Sequence, residues 1–301
     1  MYDLIIIGSG PAGMAAAIYA KRACLNMLVL ERTGFGGGQV LNTYEVDNYP
    51  GLPGISGFEL AQKMSEHASK LKAEVAEDDI LEIRAGDGKY IVTGENGTYE
   101  TKGIIIATGA KHAHLNVPGE EELSGMGVSY CATCDGAFFT GRDVAVIGGG
   151  DVAVEDAIFL ARNCRKVYLI HRRDELRAAK TLQEAVKACE NVEIIWNTTV
   201  EEIKGGESVS SLTIRNKISG DIKDLEVSGA FIAVGITPNS ETFHIVEKDV
   251  AGYIVAGEDC RTNMPYVYAV GDVRTKPLRQ VVTAVADGAN AVTSFQKDLL
   301  Q

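Results

Sequence analysis

The sequence has little positive charge and few cysteines. Its 29 lysines and arginines are outnumbered by 41 aspartates and glutamates, which gives a net charge of −12. Proteins that bind nucleic acid need a basic face for the phosphates, so that class is disfavoured. Six cysteines are too few for a disulfide scaffold and are consistent with a reducing compartment. We therefore expect a cytoplasmic protein that binds no nucleic acid.

Long uninterrupted apolar runs are also missing. No stretch approaches the roughly 20 apolar residues that are needed to span a bilayer. Residues 4–20 are largely apolar, but glycines and a proline interrupt them and no basic residue precedes them. A signal peptide requires a basic start and an unbroken apolar segment of about 7–15 residues. We expect strand, tight turn and helix here, and no membrane association.

An internal duplication organises what is present. In each half, a short apolar strand leads into a glycine-rich turn, then a helix, then a second strand that ends in a polar residue. This order is typical of a dinucleotide-binding unit, in which N–H groups at the helix start hold a pyrophosphate. In the first half the four elements are predicted at residues 4–7, 8–13, 14–22 and 26–30.

The second half repeats the pattern in the same register. Glu31 lies 23 residues after Gly8, and His171 lies 23 residues after Gly148. One such turn is weak evidence, but two in full context with equal spacing are strong evidence for two related domains. The 301 residues accommodate two domains of about 150 residues each. The second set of elements is predicted at residues 144–147, 148–153, 154–163 and 167–170.

We predict an α/β fold of two Rossmann-like, three-layer dinucleotide-binding domains, one inserted in the other. Each half has a later apolar strand that ends in glycine, at Gly109 and at Gly235. A further strand at residues 267–271 and a final helix at 281–300 are expected to complete the first domain. The predicted domains are residues 1–112 with 243–301, which would bind FAD, and residues 113–242, which would bind NADPH. Their connections at 113–119 and 237–242 would form a hinge.

The first glycine turn predicts a site for a flavin dinucleotide. Gly8, Gly10 and Gly13 allow a tight turn, close approach of a pyrophosphate and close packing of helix on strand. Pro11 begins the helix, where its missing N–H costs little. Glu31 can accept hydrogen bonds from ribose hydroxyls. The alternative is an ordinary glycine-rich turn.

Other segments are expected near this first site. Residues 36–39 form a glycine-rich loop that could cover a bound cofactor, although such a loop alone is only a connection. Asp272 ends a strand where a ribityl or phosphate group could lie. Arg279 and Gln280 precede the final helix, whose start would face the same place. Turn signals begin near the same region at Asn48.

The second turn predicts a site for a phosphorylated dinucleotide. Its strand ends at His171 rather than at an acid, and arginines follow. An acid accepts from a free ribose 2′-hydroxyl, whereas arginines accommodate a 2′-phosphate. We therefore expect NADPH rather than NADH, the alternative being a solvated basic helix start. The residues are Gly148, Gly150 and Ala153 in the turn, and Arg172, Arg173 and Arg177 after the strand.

A C-x-x-C pair, Cys131 and Cys134, lies just upstream of the second turn. Zinc needs four ligands and the other cysteines are isolated in sequence, so a zinc site is disfavoured. An inert buried pair is possible, but a redox disulfide fits best between two nucleotide sites. Asp135 adjoins the pair and could carry a proton for a leaving thiolate, cap a helix, or do both. We expect no metal, because no acid or cysteine cluster accompanies the remaining histidines.

Taken together, these motifs closely resemble those of bacterial low-molecular-weight thioredoxin reductases, from one end of the chain to the other. The cysteine motif and its spacing to the second glycine turn are the most specific part of the resemblance. The matching segments are residues 8–13, 37–39, 107–109, 131–135, 148–153, 171–173 with Arg177, and 271–272 with 279–280.

The resemblance implies a flavoprotein oxidoreductase that is a homodimer. It implies FAD in the discontinuous domain, NADPH in the inserted one, and thioredoxin as the partner. It implies that Cys134 lies against the flavin, that Cys131 attacks thioredoxin, and that Asp135 acts as the acid. It also implies a large rotation between the domains, for which the predicted hinge is suited.

The candidate cofactor-binding residues fall into two groups. The first group, for FAD, is Gly8, Ser9, Gly10, Pro11, Ala12, Gly13, Glu31, Arg32, Gly37, Gly38, Gln39, Asn48, Ala107, Thr108, Gly109, Gly271, Asp272, Arg279, Gln280 and Val281. The second group, for NADPH, is Gly148, Gly149, Gly150, Asp151, Val152, Ala153, His171, Arg172, Arg173, Arg177 and Gly235.

One position departs from the family pattern. Val152 stands where relatives usually have serine or threonine near the NADPH phosphates, and the loss of one hydroxyl contact is worth about 0.5–1.5 kcal/mol. Two alternatives therefore stay open beside NADPH-dependent thioredoxin reduction. One is a related flavin disulfide reductase that is fed by ferredoxin or serves another small redox protein. The other is a nucleotide sensor whose disulfide does not turn over.

Overall fold

The computed structural model describes residues 1–34, 36–43, 46 and 48–300. The chain divides into two compact units, which are called unit 1 and unit 2 below. Unit 1 consists of Met1–Lys111 and Thr237–Gln301, and unit 2 consists of His112–Ile236. The first division lies one residue before the predicted boundary, and the second lies six residues before it.

The described part of the chain contains the following strands and helices, in chain order. The first part has β1 (Tyr2–Ile7), α1 (Pro11–Arg22), β2 (Met27–Glu31), α2 (Gly57–Lys70), β3 (Glu74–Glu77), β4 (Ile80–Gly86), β5 (Lys89–Gly94), β6 (Thr98–Ile106) and β7 (Ala110–His112). The middle part has β8 (Val128–Ser129), α3 (Ala132–Asp135), β9 (Asp143–Gly148), α4 (Asp151–Ala161), β10 (Lys166–Ile170), α5 (Lys180–Lys187), β11 (Val192–Ile195), β12 (Thr198–Gly205), β13 (Val209–Asn216), β14 (Ile222–Glu226) and β15 (Gly229–Ala233). The last part has β16 (Ile236–Pro238), β17 (Val267–Ala269) and α6 (Val281–Asp298).

Unit 1 is built on a sheet with strand order β3-β2-β1-β6-β5-β4. The pairs among β1, β2, β3 and β6 are parallel, and β17 pairs with β6 in parallel. Strand β5 pairs with both β4 and β6 in the antiparallel sense. Strand β1 is apolar on both faces because both are covered. Leu4 and Ile6 pack in a cluster with α1 and α6, whereas Ile5 and Ile7 pack on the opposite side.

Unit 2 repeats this plan with a five-stranded parallel sheet in the order β11-β10-β9-β15-β8. Val144 and Val146 of β9 pack in a cluster with α4, and Ala145 and Ile147 pack on the other side, against the antiparallel sheet β12-β13-β14. The predicted α/β fold of two Rossmann-like units, one inserted in the other, is confirmed. The antiparallel strands β4–β5 and β12–β14 were not predicted.

Helix α1 begins at Pro11, as the proline predicts, and α4 begins at Asp151, three residues before the predicted start at residue 154. Gly10 is the N-cap of α1 and Gly150 is the N-cap of α4, so the last residues of each turn already belong to the helix. The final helix ends at Asp298 rather than at residue 300. Within the residues that the structure describes, no helix combines the length and the apolar content that crossing a bilayer requires.

The chain passes between the units along β7 and β16, which pair with each other. This pairing explains why the second division comes earlier than predicted. Asn239 belongs to unit 1 because its N–H donates to the Gly109 carbonyl at 2.9 Å and its side chain donates to the Thr108 carbonyl at 2.9 Å. The Thr108 hydroxyl donates in return to the Asn239 carbonyl at 2.6 Å.

Candidate redox pair and glycine turns

The first glycine turn packs against neighbouring backbone. Gly8 has φ +101°, and a Cβ at this position would lie 2.6 Å from the Ala107 carbonyl oxygen. A Cβ on Gly13 would lie 1.9 Å from the Gly8 carbonyl oxygen. Gly10 is different, since a Cβ there would be 3.8 Å from the nearest atom, the Gly37 carbonyl oxygen. The turn is thus closed where strand and helix meet and has more room at Gly10.

Glu31, at the end of β2, is turned toward this turn. Its Oε2 accepts hydrogen bonds from the Ser9 N–H at 2.7 Å and from the Ser9 hydroxyl at 2.5 Å. Among the described residues, the other oxygen, Oε1, accepts longer contacts from the Thr33 N–H at 3.3 Å and the Thr33 hydroxyl at 3.5 Å. Glu31 therefore supports the turn directly and has one oxygen with capacity for a ribose hydroxyl. The neighbouring Arg32 is exposed.

The glycine-rich loop lies over the turn. A Cβ on Gly36 would be 2.2 Å from the Ser9 hydroxyl oxygen, and a Cβ on Gly38 would be 3.5 Å from the Gly10 Cα. The Gln39 side chain donates to the Ala110 carbonyl and fixes the end of the loop. A side chain at these glycines would fill the space above the turn.

The C-terminal part of unit 1 contributes buried polar atoms that lack partners. The Oδ1 of Asp272 and the Nε of Arg279 are buried, and neither has a hydrogen-bond partner among the described residues. Burial raises the pKa of Asp272, against the opposing influence of Lys276 and Arg279. The Arg279 guanidinium lies 4.0 Å from the centre of the Tyr253 ring. Unpaired buried polar atoms are costly, so these two indicate a polar ligand.

A buried ion cluster holds this segment in place. Asp287 of α6 accepts from the Gly271 N–H at 2.8 Å and from Arg274 at 2.9 Å and 2.8 Å. Lys276 donates to the same carboxylate at 2.8 Å. At the start of α6, Gln280 accepts at 3.0 Å from the Asn48 side chain. Sequence reasoning missed Asp287, Arg274 and Lys276, because only the fold brings α6 beside the end of β17.

The second glycine turn has the same packing and a more open centre. A Cβ on Gly148 would lie 2.4 Å from the Ala233 carbonyl oxygen, just as a Cβ on Gly8 would lie 2.6 Å from the Ala107 carbonyl oxygen. No heavy atom lies within 4 Å of the place that a Cβ on Gly150 would occupy. Val152, in the first turn of α4, is 52% exposed. The backbone at Gly150 can therefore be approached closely by a ligand.

Basic residues follow β10 beside this turn. His171 is buried against Gly149, and burial is the main cause that lowers its pKa, so the imidazole is neutral at physiological pH. The Arg177 N–H donates to the Gly149 carbonyl at 2.7 Å, and the Asp151 carboxylate accepts from the Ala179 N–H at 2.8 Å. Within the described part of the chain no ion pair engages the three exposed guanidinium groups, those of Arg172, Arg173 and Arg177.

Cys131 and Cys134 form a disulfide across the single turn of α3, with Cα atoms 5.3 Å apart. Cys131 is the N-cap, and its carbonyl accepts from the N–H groups of Cys134 at 3.2 Å and of Asp135 at 3.1 Å. Both cysteines are half-buried. A helix start favours a thiolate once the bond is reduced.

Asp135 has one bonded and one unbonded oxygen. Its Oδ2 accepts from the Ser129 hydroxyl at 2.6 Å, and its Oδ1 is buried with no partner among the described residues. Burial raises the pKa of Asp135, and the hydrogen bond from Ser129 opposes that effect. A carboxyl with a raised pKa can carry a proton nearer to neutral pH. Sequence reasoning found Asp135 but not Ser129.

A second polar group lies next to the cysteines. The Tyr130 hydroxyl donates to Glu120 Oε1 at 2.8 Å and lies 2.9 Å from His114 Nδ1. Glu120 is buried and also accepts from the N–H groups of Leu115 at 3.0 Å and Asn116 at 2.6 Å. An acid therefore does accompany the histidine, which the sequence did not reveal. Glu120 thus links the Tyr130 side chain to the backbone of Leu115 and Asn116.

The other cysteines differ from the pair. Burial raises the pKa of Cys164 to about 11 and that of Cys260 to about 12, so both stay protonated near neutral pH. Cys24 is exposed and Cys189 is half-buried, and neither forms a disulfide. Among the described cysteines, only Cys131 and Cys134 form a disulfide.

Comparison with known proteins agrees with this arrangement. A family model for pyridine nucleotide-disulphide oxidoreductases matches residues 2–288. A thioredoxin reductase of Listeria innocua is 50% identical, covering 99% of this chain and 93% of the relative. One from Bacillus subtilis is 45% identical, covering 98% of this chain and 94% of the relative. The crystal structure of a Streptococcus pyogenes thioredoxin reductase is 46% identical, with a TM-score of 0.96 over 100% of this chain and 98% of that one.

Proposed function

The chain belongs to the pyridine nucleotide-disulphide oxidoreductase family and is related over nearly its whole length to thioredoxin reductases, and on this premise we propose that it reduces thioredoxin with electrons from NADPH. The observation that carries the proposal is the Cys131–Cys134 disulfide with the buried Oδ1 of Asp135 beside it. The disulfide lies in the unit that also contains the second glycine turn and its unpaired arginines.

FAD would be held by unit 1. The Gly10 backbone and the start of α1 offer N–H groups to a pyrophosphate, and Glu31 Oε1 offers an acceptor to a ribose hydroxyl. The unpartnered Asp272 Oδ1 and Arg279 Nε fit a polar cofactor, since each would otherwise stay buried and unsatisfied. These two atoms support a ribityl or phosphate group at this edge.

NADPH would be held by unit 2. The Gly150 backbone leaves room for the pyrophosphate, and the unpaired Arg172, Arg173 and Arg177 supply donors for a 2′-phosphate. NADH lacks that phosphate, so NADPH is the proposed donor. When bound, FAD and NADPH supply hydride transfer and pass two electrons to the disulfide.

The chain's own residues then perform thiol–disulfide exchange. Two electrons break the Cys131–Cys134 bond and leave two thiolates, and one proton is held by Asp135. Cys131 thiolate attacks the thioredoxin disulfide, forms a mixed disulfide and expels a thioredoxin thiolate, which Asp135 protonates. Cys134 thiolate then attacks Cys131 Sγ and breaks the mixed disulfide, which re-forms the Cys131–Cys134 bond. The second thioredoxin sulfur leaves as a thiolate and takes its proton from solvent, so that reduced thioredoxin is released.

The family resemblance supports three further parts of the proposal. The enzyme is a cytoplasmic homodimer, unit 1 is the FAD-binding domain, and unit 2 is the NADPH-binding domain that carries the redox pair. Sedimentation of the holoprotein tests the dimer. A mass of one chain at micromolar concentration would contradict it.

The donor is tested by steady-state turnover with oxidised thioredoxin. NADPH, NADH and reduced ferredoxin are supplied in parallel to the holoenzyme, and thioredoxin thiols are measured. We expect rapid thiol formation with NADPH and a much higher KM with NADH. Turnover with ferredoxin alone would support a ferredoxin-fed reductase. NADPH binding without turnover with any disulfide substrate would support the sensor alternative.

A further inference from the structure

Ser129 is built into the redox motif although it lies outside the C-x-x-C-D sequence. It is the last residue of β8, is 5% exposed, and pairs with Phe231 of β15 in the parallel sheet. The single turn of α3 brings Asp135 back over it, so that the Ser129 hydroxyl lies 2.6 Å from Asp135 Oδ2. A residue of the parallel sheet therefore holds one oxygen of the carboxyl group.

The hydroxyl has one proton and two possible acceptors. These are Asp135 Oδ2 at 2.6 Å and the Cys131 carbonyl at 3.3 Å. The shorter contact to an ionisable carboxyl is the stronger bond, so the proton is donated to Oδ2. The Ser129 oxygen meanwhile accepts from the Cys131 N–H at 3.1 Å. The hydroxyl thus joins the backbone of Cys131 to Asp135.

This arrangement makes the two oxygens of Asp135 unequal. Oδ2 already accepts a hydrogen bond, whereas Oδ1 is buried without a partner among the described residues. We propose that Ser129 is a positioning residue that holds Oδ2, so that Oδ1 is the oxygen that carries the proton to the leaving thiolate. The inference rests on the proposed function, in which Asp135 is the acid.

The other polar and charged groups around Asp135 have different partners or face solvent. Phe159 and Leu160 of α4 lie against Gly136, the residue after Asp135, so the packed face of α4 is apolar there. On α4, Glu155 is exposed and Asp156 is partly buried. Burial raises the pKa of Asp135, and the hydrogen bond from the Ser129 hydroxyl lowers it. On the strand side, Tyr130 is bonded to Glu120 and His114 instead. The thiols of Cys131 and Cys134 are the other titrating groups in the motif.

The test is single-turnover oxidation of the reduced holoenzyme by thioredoxin, followed across the neutral pH range. The variants are Ser129→Ala, Ser129→Thr, which keeps the hydroxyl, and Asp135→Asn, with flavin absorbance and circular dichroism as checks of folding. In the wild type, the rate should fall as pH rises through the Asp135 pKa. The Ser129 hydroxyl donates a hydrogen bond that favours the ionised carboxylate, so its loss should raise the pKa of Asp135. In Ser129→Ala the fall of the rate with pH, called the limb below, should therefore move about one pH unit higher. The limiting rate at low pH should fall about tenfold.

Ser129→Thr should return both quantities toward the wild-type values, and Asp135→Asn should abolish the limb. If Asp135→Asn abolishes the limb but Ser129→Ala leaves both the limb and the rate unchanged, Ser129 has no positioning role. If Ser129→Ala is slower but its limb does not move, and Ser129→Thr does not restore the rate, then the loss is a packing defect. That result also overturns the inference. An unchanged limb in Asp135→Asn removes Asp135 as the acid, and the failure is then that of the proposed function.

Discussion

Gly13 lies directly against Gly8, because a Cβ added to Gly13 would be 1.9 Å from the Gly8 carbonyl oxygen. Real Cβ atoms do not approach backbone oxygens so closely, and neither backbone can move without separating α1 from β1. We predict that Gly13→Ala lowers the free energy of unfolding by about 2–3 kcal/mol and reduces the flavin content of the purified protein. Urea unfolding and the ratio of flavin to protein absorbance measure these effects.

Gly150→Ala is the matched control, because no heavy atom lies within 4 Å of a Cβ at that position. Its free energy of unfolding should change by less than about 0.5 kcal/mol. The added methyl group should instead raise the KM for NADPH, since it occupies the space for the pyrophosphate. Equal loss of stability in the two variants would contradict this account of the turns.

The arginines after β10 should determine the choice of nicotinamide nucleotide. We predict that the double variant Arg172→Gln, Arg173→Gln raises the KM for NADPH about 100- to 10,000-fold, because it removes two charge-assisted hydrogen bonds that are worth about 1.5–3 kcal/mol each. The KM for NADH should change little. Arg165→Gln is the control, since Arg165 is exposed in the same unit but is paired with Asp143. Equal effects on both nucleotides would indicate a general electrostatic role.

Val152 should weaken the nucleotide site slightly. It is exposed in the first turn of α4, so Val152→Thr should leave stability unchanged. A hydroxyl there can donate to a phosphate oxygen, and we predict a KM for NADPH that is about 2- to 10-fold lower. Val152→Ala, which adds no hydroxyl, is the matched control. A similar KM in the Thr and Ala variants would show that the missing hydroxyl is unimportant.

Asp156 of α4 should make the protein less stable at higher pH. Burial, and secondarily Glu155, raise the pKa of Asp156 to about 7. The folded state therefore binds a proton that the unfolded state releases above the ordinary pKa of 3.8, and stability falls as pH rises from there through about 7. Asp156→Asn should be more stable than the wild type at mildly alkaline pH, by roughly 2–4 kcal/mol, and similar to it at strongly acidic pH. Urea unfolding at both pH values measures this, and a pH-independent difference would contradict it.

The sequence predicted those features that depend on local chain geometry. Both glycine turns follow a buried strand and precede a helix. A tight turn of this kind needs glycine, so the turn can be recognised from neighbouring residues in the sequence. The division at residues 236–237 lies six residues before the boundary that the sequence predicts, because it depends on the pairing of β7 with β16. Nothing in the local sequence near residue 237 indicates that pairing.

Within the candidate site, the sequence predicted the residues of one short motif but not the contacts made by other segments. Cys131, Cys134 and Asp135 lie within five consecutive residues and were predicted from the sequence, whereas Ser129 reaches Asp135 only because α3 folds back over the end of β8. Asp287 and Arg274 meet only because α6 returns beside β17. Such contacts between distant segments leave no spacing rule in the chain, although a serine two residues before the first cysteine was a signal to examine.

We propose that electrons from NADPH reach thioredoxin through Cys131 and Cys134. The most direct measurement is NADPH-dependent thioredoxin reduction by flavin-loaded wild type, Cys131→Ser and Cys134→Ser, with Cys189→Ser as a control outside the pair. We predict loss of turnover in both pair variants, with flavin still reduced by NADPH, and normal turnover in the control. Undiminished thioredoxin reduction by either pair variant would contradict the account.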